Sequence, residues 1–477
     1  MMYVSDELNE ECGVFGVCIS STPQQPGIYL PFGNEAAGIT YNALLSLQHR
    51  GQEGAGIAAL LGNKIVCHKG EGLVSEVFSN GSLAKLPQSN CAIGHTRYSA
   101  KGSSSADSIS PFVTEFLTGR VAVSLGGCLT NANELRDTLT HSGLDFDTTS
   151  DGELVSALVA YCMMRVGNDL QAVVRAANEL RGAFSMVVLC SDGKLIAVRD
   201  PYGYRPLCIG KNESGMVVAS ESCAVECCGF EFVRDVKPGE IVVIEDGKIV
   251  YEGVELKQDS ERKINGGLCI LEYVYFARLD SIIDGLSVYS ARFNMGRMLA
   301  KEHPVEADIV CGIPDASREI ARGYSVESGV RLVPGFVLNR YVGRSFIYPT
   351  QAQRETAVRI KLNPLSVNVK NKRVILIDDS IFRGTTIKQA VAALRSAGAK
   401  EVHLRISSPP TRFTCNYGTD IGDVENLIAN QMSIDEICKT VGADSLCYIS
   451  LEGMKEACGR CSVPFCDNCF TGNEKAN

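Results

Sequence analysis

The chain has 477 residues, of which 45% are hydrophobic and 21% charged, a composition typical of a globular protein with room for about two to four domains. Its formal net charge is −9 and it contains no long Lys/Arg run, which argues against a nucleic-acid-binding protein. No stretch approaches about 18 consecutive apolar residues, and the acidic N-terminus lacks the apolar core of a secretory signal. We therefore expect neither a membrane span nor secretion, and predict a cytoplasmic protein.

The cysteine content is high, with 20 residues. Because no secretory signal is expected, the cysteines predict core residues, metal ligands or nucleophiles and not a disulfide framework. Most are predicted to be core residues, as at Cys18, Cys190 and Cys208, which lie within or beside short apolar runs.

In chain order, the first half mixes short strands with helices. The first strand is predicted to begin at Cys12. A polar stretch at 255–267 separates this half from one in which strands and helices alternate, a pattern that predicts a parallel, doubly wound sheet. Further strands are predicted at 55–61, 185–190, 195–199, 216–219 and 241–244, and helices near 36–49, 153–166 and 169–181.

Cys12 by itself is open to two interpretations, a core residue or a nucleophile. Five segments that follow it, taken together with their order and spacing, resemble the class II glutamine amidotransferase family over Cys12–Asp246. That resemblance implies an N-terminal-nucleophile hydrolase fold, an αββα sandwich. The segments are 47–57, 95–99, 129–136, 149–153 and 199–207.

The chemistry of an N-terminal cysteine fits this resemblance. Its α-amine titrates near pH 8, so about a tenth to a fifth is neutral at pH 7 and can take the thiol proton. This requires removal of residues 1–11, which are predicted to be a propeptide. The resemblance further implies that Arg97 pairs with the glutamine α-carboxylate, Asp151 with its α-ammonium group, and that Arg50 supports the loop of the nucleophile. Structural salt bridges are the alternative for both arginines.

One segment departs from the family pattern. The family reads His-Asn-Gly-Asn-Leu-Thr-Asn where this chain has residues 125–131, and there the first Asn side chain and the next Gly N–H form the oxyanion hole. Here the two positions are Gly126 and Gly127, so the side-chain donor is missing. Losing one such donor costs ~10²–10³ in rate, or ~3–4 kcal/mol. Either water or a rearranged backbone N–H compensates, or the glutaminase is slow or inactive.

The second half contains the most informative stretch, residues 374–386. Four apolar residues predict a buried strand that ends in Asp378 and Asp379, and a small-residue loop then enters a helix that stops near Gly398. A further strand at 401–407 would complete a βαβ unit. A helix N-terminus suits a phosphate, and paired carboxylates beside it require hydroxyl groups or Mg²⁺, so the pattern predicts a sugar phosphate ligand. A surface acidic turn is the alternative.

This stretch resembles the phosphoribosyl-diphosphate (PRPP) loop of type I phosphoribosyltransferases. It is not a P-loop, because no Gly-Lys-Ser/Thr follows the strand. The resemblance implies that Asp378 and Asp379 contact the ribose hydroxyls and Mg²⁺. It also implies that the following loop wraps the 5-phosphate through Ser380, Arg383, Gly384, Thr385 and Thr386.

A glutaminase followed by a PRPP-binding domain is similar to the amidophosphoribosyltransferase family, and the match in the second half runs from Gly267 to about Gly472. The segment 339–355 resembles the family's mobile loop, which closes over PRPP and excludes water. At Ala316 the family commonly has a hydroxyl residue that helps to bind Mg²⁺, which alanine cannot do. The cations expected on the phosphates are Arg340, Arg344, Arg354 and Lys361, with an exposed basic loop as the alternative.

Two Cys-x₂-Cys pairs close the chain, at 458–461 and 466–469. Only four residues separate them, whereas zinc ribbons usually leave about 15–20. Resemblance to the iron–sulfur subgroup of the family implies instead a [4Fe–4S] cluster on scattered cysteines, with zinc as the alternative. Cys458 and Cys461 stay unassigned. The implied cluster ligands are Cys269, Cys415, Cys466 and Cys469.

The resemblance predicts a glutamine-dependent amidophosphoribosyltransferase that acts on PRPP and glutamine with Mg²⁺. Two alternatives are a paralogue with an impaired glutaminase that uses ammonia, and a non-catalytic PRPP-binding regulator. The resemblance also implies a homo-oligomer, usually a tetramer, and inhibition by purine nucleotides. The predicted divisions are a propeptide (1–11), a glutaminase domain (12–255), a phosphoribosyltransferase domain (265–450) and a Cys-rich tail (451–477).

Overall fold

The structure is a computed structural model, and it describes residues 12–21, 35–79, 81–98, 106–258, 267–339, 362–419 and 421–472. The strands of the first half are β1 (Gly13–Ile19), β2 (Gly54–Leu61), β3 (Lys64–Glu71), β4 (Cys91–Arg97), β5 (Phe112–Phe116), β6 (Gly119–Leu129), β7 (Gly182–Cys190), β8 (Leu195–Arg199), β9 (Cys208–Asn212), β10 (Gly215–Ala219), β11 (Glu231–Asp235), β12 (Glu240–Glu245) and β13 (Lys248–Val254). Its helices are α1 (Ala36–Ser46), α2 (Val74–Val77), α3 (Ala132–His141), α4 (Asp151–Val166), α5 (Asp169–Glu179) and α6 (Ser222–Cys227).

The second half continues the numbering. Its strands are β14 (Leu268–Cys269), β15 (Ile282–Ile283), β16 (Leu286–Ser287), β17 (Ile309–Gly312), β18 (Phe336–Leu338), β19 (Leu362–Pro364), β20 (Arg373–Asp378), β21 (Glu401–Ile406), β22 (Ser445–Tyr448) and β23 (Phe465–Cys466). Its helices are α7 (Val288–Glu302), α8 (Ser317–Ser328), α9 (Ser366–Val369), α10 (Thr385–Ser396), α11 (Ile428–Gln431), α12 (Ile434–Val441), α13 (Leu451–Cys458) and α14 (Asn468–Thr471).

The first half is a sandwich of two antiparallel sheets. One sheet has seven strands in the order β11-β9-β10-β1-β4-β2-β3, and the other has six in the order β13-β12-β8-β7-β6-β5. Residues such as Val14, Ile93 and Val187 form the core between the sheets. Helices α1 and α6 cover the outer face of the first sheet, and α3, α4 and α5 cover that of the second. The predicted αββα sandwich is therefore confirmed.

Strand β6 shows why the sequence forms these layers. Successive side chains of a strand point to opposite faces. Val121 and Val123 accordingly pack against the helices, whereas Ala122 between them lies in the core between the sheets. Both faces are apolar because both are covered, so the strand is a nearly continuous apolar run. The same alternation fixes which residues of β6 face β1.

The second half is built on a four-stranded parallel sheet in the order β17-β20-β21-β22. In β20, Ile375 and Ile377 pack on the side of α7 and α8. Val374 and Leu376 point to the other side, where α10 and α12 cover them. The sheet is thus buried on both faces, as the prediction of a doubly wound parallel sheet requires. The predicted βαβ unit is β20-α10-β21.

Buried ion pairs join the two halves. Arg199 in β8 forms a bidentate pair with Asp284, with distances of 2.8 and 2.7 Å. Arg50 donates to Glu272 at 3.3 and 2.5 Å. Bidentate Arg–carboxylate pairs fix orientation as well as position, so they hold the two halves in one relative orientation. In the part of the chain that the structure describes, no helix combines the length and the apolar character that a membrane crossing demands.

Candidate functional site

Cys12 lies just before β1, at the end of the sandwich. Its Sγ is 3.7 Å from the carbonyl oxygen of Tyr98. Burial raises the pKa of the Cys12 thiol, while the hydrogen bond to Tyr98 and the charge of Arg97 act in the opposite direction. The thiol in this environment is protonated at neutral pH, so a nucleophilic role requires a nearby base.

Arg97 is the last residue of β4, the strand next to β1. The pairing of Gly13 with Thr96 places Arg97 beside Cys12. Its side chain is buried, and burial lowers its pKa whereas the charges of Cys12 and Glu53 raise it. A planar, charged donor at this place can pair with a carboxylate, as predicted for the glutamine α-carboxylate.

Asp151 is the first residue of α4. Its Oδ2 accepts a hydrogen bond of 2.8 Å from the backbone N–H of Leu129 at the end of β6. Burial raises the pKa of Asp151, and the Leu129 bond opposes the rise. The positive end of the helix dipole also favours the ionised form. A carboxylate is therefore held beside the end of the strand that carries Gly126 and Gly127.

Gly126 and Gly127 occupy β6 opposite Ser185 and Phe184 of β7. A Cβ added to Gly126 would lie 2.9 Å from the carbonyl oxygen of Cys12, so residue 126 faces the candidate nucleophile. Gly127 has a φ of +119°, and a Cβ added there would clash with the carbonyl oxygen of Ala183, which leaves no room for a side chain. The sandwich thus brings Cys12, Arg97, Asp151 and the two glycines to one end.

Arg50 lies at the boundary between the two halves of the chain. Its guanidinium is buried between Glu221, with which its Nε forms a short ion pair, and Glu272, with which its Nη2 pairs at 2.5 Å. Both carboxylates are inaccessible to solvent, and the charges of Arg50 and His49 hold the pKa of Glu221 well below its usual range. The structure therefore places Arg50 in a salt bridge between the halves, which was the alternative interpretation. Its Cβ still lies 3.5 Å from the point where a Cβ on Gly13 would be.

The predicted PRPP loop follows β20 at the carboxyl end of the parallel sheet. Asp378 ends the strand, and its Oδ1 accepts from the backbone N–H of Asp379 at 3.0 Å. Ser380 Oγ donates to Asp379 at 2.6 Å. Gly384, with a φ of +82°, is the N-cap of α10, a left-handed conformation that favours glycine. Thr385 and Thr386 open the helix, so their backbone N–H groups lie at its positive end, and Arg383 precedes the cap.

Sequence reasoning missed Ser317. It noted that Ala316 cannot ligate a metal, but the next residue supplies a hydroxyl to the same site, because Ser317 Oγ donates to Asp378 Oδ1 at 3.2 Å. Ser317 is the first residue of α8, so the helix start positions it. The only signal in the sequence was that a hydroxyl residue directly follows Ala316.

Several predicted residues lie outside the described residues. These are the leader 1–11 and the four cations of the predicted closing loop, namely Arg340, Arg344, Arg354 and Lys361.

The backbone brings the four predicted cluster cysteines together. Cys269 in β14 is the parallel partner of Cys466 in β23. The carbonyl oxygen of Cys469 accepts from the backbone N–H groups of Arg412 and Phe413, both at 3.1 Å, which places the segment leading to Cys415 beside α14. Burial is the main cause that raises the pKa of Cys269 and that of Cys469, and it raises the pKa of Cys466 to about 12.

Four thiolates are a donor set that suits a [4Fe–4S] cluster and also a single zinc ion. The sulfurs of a tetrahedral zinc site are about 3.8 Å apart. Among the described residues, however, only Asp169, Cys190 and Asp192 bring three ligand atoms within 4.8 Å of one another. A four-iron cluster binds each thiolate to a separate iron and so holds the sulfurs farther apart. The backbone N–H of Tyr417 also donates to Cys415 Sγ at 3.3 Å, the kind of bond that stabilises a thiolate ligand.

The acidic group Asp169, Cys190 and Asp192 is explained without a metal. Lys194 Nζ lies 3.1 Å from Asp169 and also pairs with Asp192. The ammonium group therefore already supplies the positive charge between the two carboxylates.

Cys458 and Cys461 stay unassigned. Cys458 ends α13 and is buried in the main core of the second half, and Cys461 packs against that core. Burial raises the pKa of both thiols. Cys469 belongs to the same core, so burial does not separate these two cysteines from the predicted ligands.

The loop that starts at Cys415 packs on the glutaminase half. The ring of Tyr417 stacks on Tyr204 with a centroid distance of 4.2 Å, and its carbonyl oxygen accepts from Arg205. A Cβ added to Gly418 would lie 2.7 Å from Cys128 Cβ. Cys128 directly follows Gly127, so the four-cysteine site and the end of β6 share one packed junction.

Comparisons with known proteins agree with both halves. Residues 95–226 match the glutamine amidotransferase domain, and residues 295–407 match the phosphoribosyl transferase domain. Amidophosphoribosyltransferase of Archaeoglobus fulgidus is 45% identical over 93% of this chain and 96% of its own length, and that of Bacillus subtilis is 43% identical over 98% and 94%. The chain belongs to the amidophosphoribosyltransferase family. It is a phosphoribosyltransferase with a glutamine amidotransferase domain, and its reaction is the first step of purine biosynthesis.

The fold comparison supports the same assignment. The solved structure of the Bacillus subtilis glutamine PRPP amidotransferase, complexed with ADP and GMP, matches with a TM-score of 0.86 and 41% identity over 97% of each chain. The predicted family and the two-domain fold class are confirmed.

Proposed function

We propose that this amidophosphoribosyltransferase takes its nitrogen from glutamine, with Cys12 as the nucleophile and the loop from Asp378 to Thr386 as the PRPP site. The observation that carries the proposal is that Cys12, Arg97 and Asp151 come together at the end of β6. The same chain also has an acidic pair, Asp378 and Asp379, followed by a loop that enters the N-terminus of α10. The overall reaction converts PRPP, glutamine and water into 5-phosphoribosylamine, pyrophosphate and glutamate.

In the glutaminase half, the α-amine of a processed Cys12 takes the proton of the thiol. The sulfur attacks the amide carbon of glutamine, and the carbonyl electron pair moves onto the oxygen. When the carbonyl re-forms, the C–N bond breaks and the leaving nitrogen takes the proton from the α-ammonium group. Water then hydrolyses the thioester to release glutamate, and ammonia goes on to C1 of PRPP.

Three neighbouring groups assist these steps. Arg97 holds the substrate α-carboxylate, and Asp151 holds its α-ammonium group. The N–H of Gly127 donates to the developing oxyanion.

In the phosphoribosyl half, Asp378 and Asp379 bind the ribose hydroxyls. The loop with Ser380 and Arg383 and the N-terminus of α10 bind the 5-phosphate. The cations Arg340, Arg344, Arg354 and Lys361 are assigned to the phosphates. Asp378 and Asp379, with Ser317 beside them, would hold Mg²⁺, which supplies positive charge to the departing diphosphate.

We assign Cys269, Cys415, Cys466 and Cys469 to a [4Fe–4S] cluster, which is supported by the pairing of Cys269 with Cys466 and by the contact of Cys469 with the segment that leads to Cys415. The reaction requires no electron transfer, so the group supplies cohesion at the junction between the halves. Replacing Cys269 by Ser should remove bound iron and sulfide from anaerobically purified protein. The matched variant Cys458→Ser changes a buried cysteine of the same half and should retain both, and equal iron in the two variants would contradict the assignment.

The proposal includes a propeptide of residues 1–11, a glutaminase domain of 12–255, a phosphoribosyltransferase domain of 265–450 and a tail of 451–477. Intact mass should show that active protein begins at Cys12. Glutamine consumption by protein that keeps its leader would rule out the α-amine as the base.

We also propose a cytoplasmic homo-tetramer inhibited by purine nucleotides. The Bacillus subtilis relative was solved with ADP and GMP, which supports nucleotide binding in this chain as well. Sedimentation would test the tetramer, and pyrophosphate release with and without ADP and GMP would test the inhibition.

The decisive assay is pyrophosphate release from PRPP by anaerobically purified protein, with either glutamine or ammonium chloride as nitrogen donor. We expect activity with both. Activity with ammonium alone would favour an impaired glutaminase, for which the Gly126 position is the specific observation. PRPP binding without turnover by either donor would contradict the enzymatic assignment.

A further inference from the structure

Gly126 has no side chain that could donate a hydrogen bond to the oxyanion of the glutaminase reaction. A side chain at 126 would begin 2.9 Å from the carbonyl oxygen of Cys12, closer than a carbon normally approaches that oxygen. Cys12 therefore packs directly on the backbone of β6, and a side chain at 126 would fit only if the backbone of Cys12 shifted. A side-chain donor for the oxyanion has to come from another residue.

Ser185 is the residue placed to provide it. It is the direct partner of Gly126 in the β6–β7 pair, and directly opposed residues of an antiparallel pair project to the same face of the sheet. The three heavy atoms nearest the Cβ position of residue 126 are Cys12 O, Val14 Cγ1 at 3.4 Å and Ser185 Oγ at 3.5 Å. The Ser185 hydroxyl is the one hydrogen-bond donor among these three atoms.

The surroundings of Ser185 suit this role. The side chain is only 2% exposed, so competition from bulk water is small and a hydrogen bond to a developing negative charge is strengthened. A hydroxyl rotates freely about its C–O bond, so it can turn toward an oxygen that gains charge. His95, also on the inner face, is held neutral because burial lowers its pKa to about 3, so it brings no competing positive charge.

We propose that the Ser185 hydroxyl is a catalytic donor of the glutaminase, which stabilises the oxyanion together with the N–H of Gly127. The inference rests on the proposed glutaminase function of Cys12. The hydroxyl donates a hydrogen bond while the amide carbonyl electrons lie on oxygen, and it returns to its starting state when the carbonyl re-forms. No proton or electron is consumed at Ser185.

The test compares Ser185→Ala with Ser185→Thr, which keeps the hydroxyl, and with Ser124→Ala. Ser124 is a matched control because it is a fully buried serine on the same face of β6, two residues farther from the end of the strand. For Ser185→Ala we expect glutamine-dependent kcat to fall about 10²-fold with little change in the KM for glutamine. Ser185→Thr and Ser124→Ala should keep kcat within about threefold of the parent protein.

Two further measurements separate catalysis from structure. Turnover with ammonium chloride should be unchanged in Ser185→Ala. The rate at which iodoacetamide alkylates Cys12 should also be unchanged, because that displacement forms no oxyanion. An unchanged glutamine kcat in Ser185→Ala, or a parallel loss of alkylation and ammonium turnover, would overturn the role of Ser185. Absence of glutamine turnover in the parent protein would overturn the glutaminase proposal as well.

Discussion

The two candidate sites of this chain are assembled in opposite ways. In the glutaminase half, Cys12, Arg97 and Asp151 come from three elements that are far apart in sequence, and a pair of sheets brings them to one end. In the phosphoribosyl half, the acidic pair, the loop and the helix start are contiguous, from Asp378 to Thr386. The first site therefore depends on the packing of the whole sandwich, whereas the second depends mainly on one strand-loop-helix unit.

The two sites also differ in their electrostatics. The inner face of the sandwich suppresses charge, since burial raises the pKa of Cys12 and lowers that of His95. The phosphoribosyl loop instead concentrates charge, with two adjacent carboxylates next to the positive end of α10. In the first environment the thiol stays protonated until a base takes its proton, whereas the second suits a ligand with phosphates and a metal ion.

Replacing Cys12 by Ala is the sharpest way to separate the halves. Since the thiol is the proposed nucleophile, glutamine-dependent pyrophosphate release should fall by at least about 10³-fold. Turnover with ammonium chloride should stay within a few-fold of the parent, because the phosphoribosyl loop is intact. Retained glutamine turnover would show that another residue attacks the amide.

Replacing Asp379 by Asn should have the reverse pattern. Pyrophosphate release should fall by about 10²-fold with glutamine and with ammonium alike, because a ligand of the ribose and of Mg²⁺ loses its charge. Alkylation of Cys12 by iodoacetamide should be unaffected and serves as the control for folding. A loss confined to glutamine would contradict the separation of the two sites.

Replacing Arg50 by Met tests whether this residue joins the halves. Removal of the guanidinium leaves the buried carboxylates of Glu221 and Glu272 without it, which should cost about 3–5 kcal/mol of unfolding free energy. Urea unfolding followed by fluorescence would measure the loss.

The matched control for this variant is Arg181→Met, which breaks an exposed pair with Glu134 of 3.8 Å and should change little. If Arg50→Met changed glutamine kinetics without affecting stability, the predicted support of the nucleophile loop would be its main role.

His95 gives the smallest expected effect, one that depends on pH. Its pKa is about 3 in the folded protein because of burial, against an ordinary value of 6.5. The unfolded chain therefore binds a proton below pH 6.5 that the folded chain does not bind. Stability is lost as the pH falls from about 6.5 toward 3, by up to about 1.4 kcal/mol per pH unit.

The variant His95→Gln keeps a donor near the position of Nε2, which lies 3.0 Å from the carbonyl oxygen of Leu125, and it cannot titrate. As the pH is lowered below 6.5, the unfolding midpoint of the parent should therefore fall more than that of the variant. A constant difference across this range would show that the pKa of His95 is the same in the folded and unfolded protein.

The sequence alone was enough to predict the helices, strands and motifs that depend on the pattern of neighbouring residues. Helices predicted near 153–166 and 169–181 are α4 and α5, and the βαβ unit around Asp378 lies where its apolar run, acidic pair and Gly398 predicted it. Strand alternation, helical spacing and contiguous loops are properties of neighbouring residues, so one chain is enough to show them.

The tertiary structure alone decided which distant residues meet. The position of Arg50 between Glu221 and Glu272, and the partnership of Gly126 with Ser185, join residues that lie far apart in the chain. Ser317 reaches Asp378 because α8 starts beside the end of β20. Such contacts depend on strand order and on how the layers pack, for which the local pattern of a sequence carries no signal.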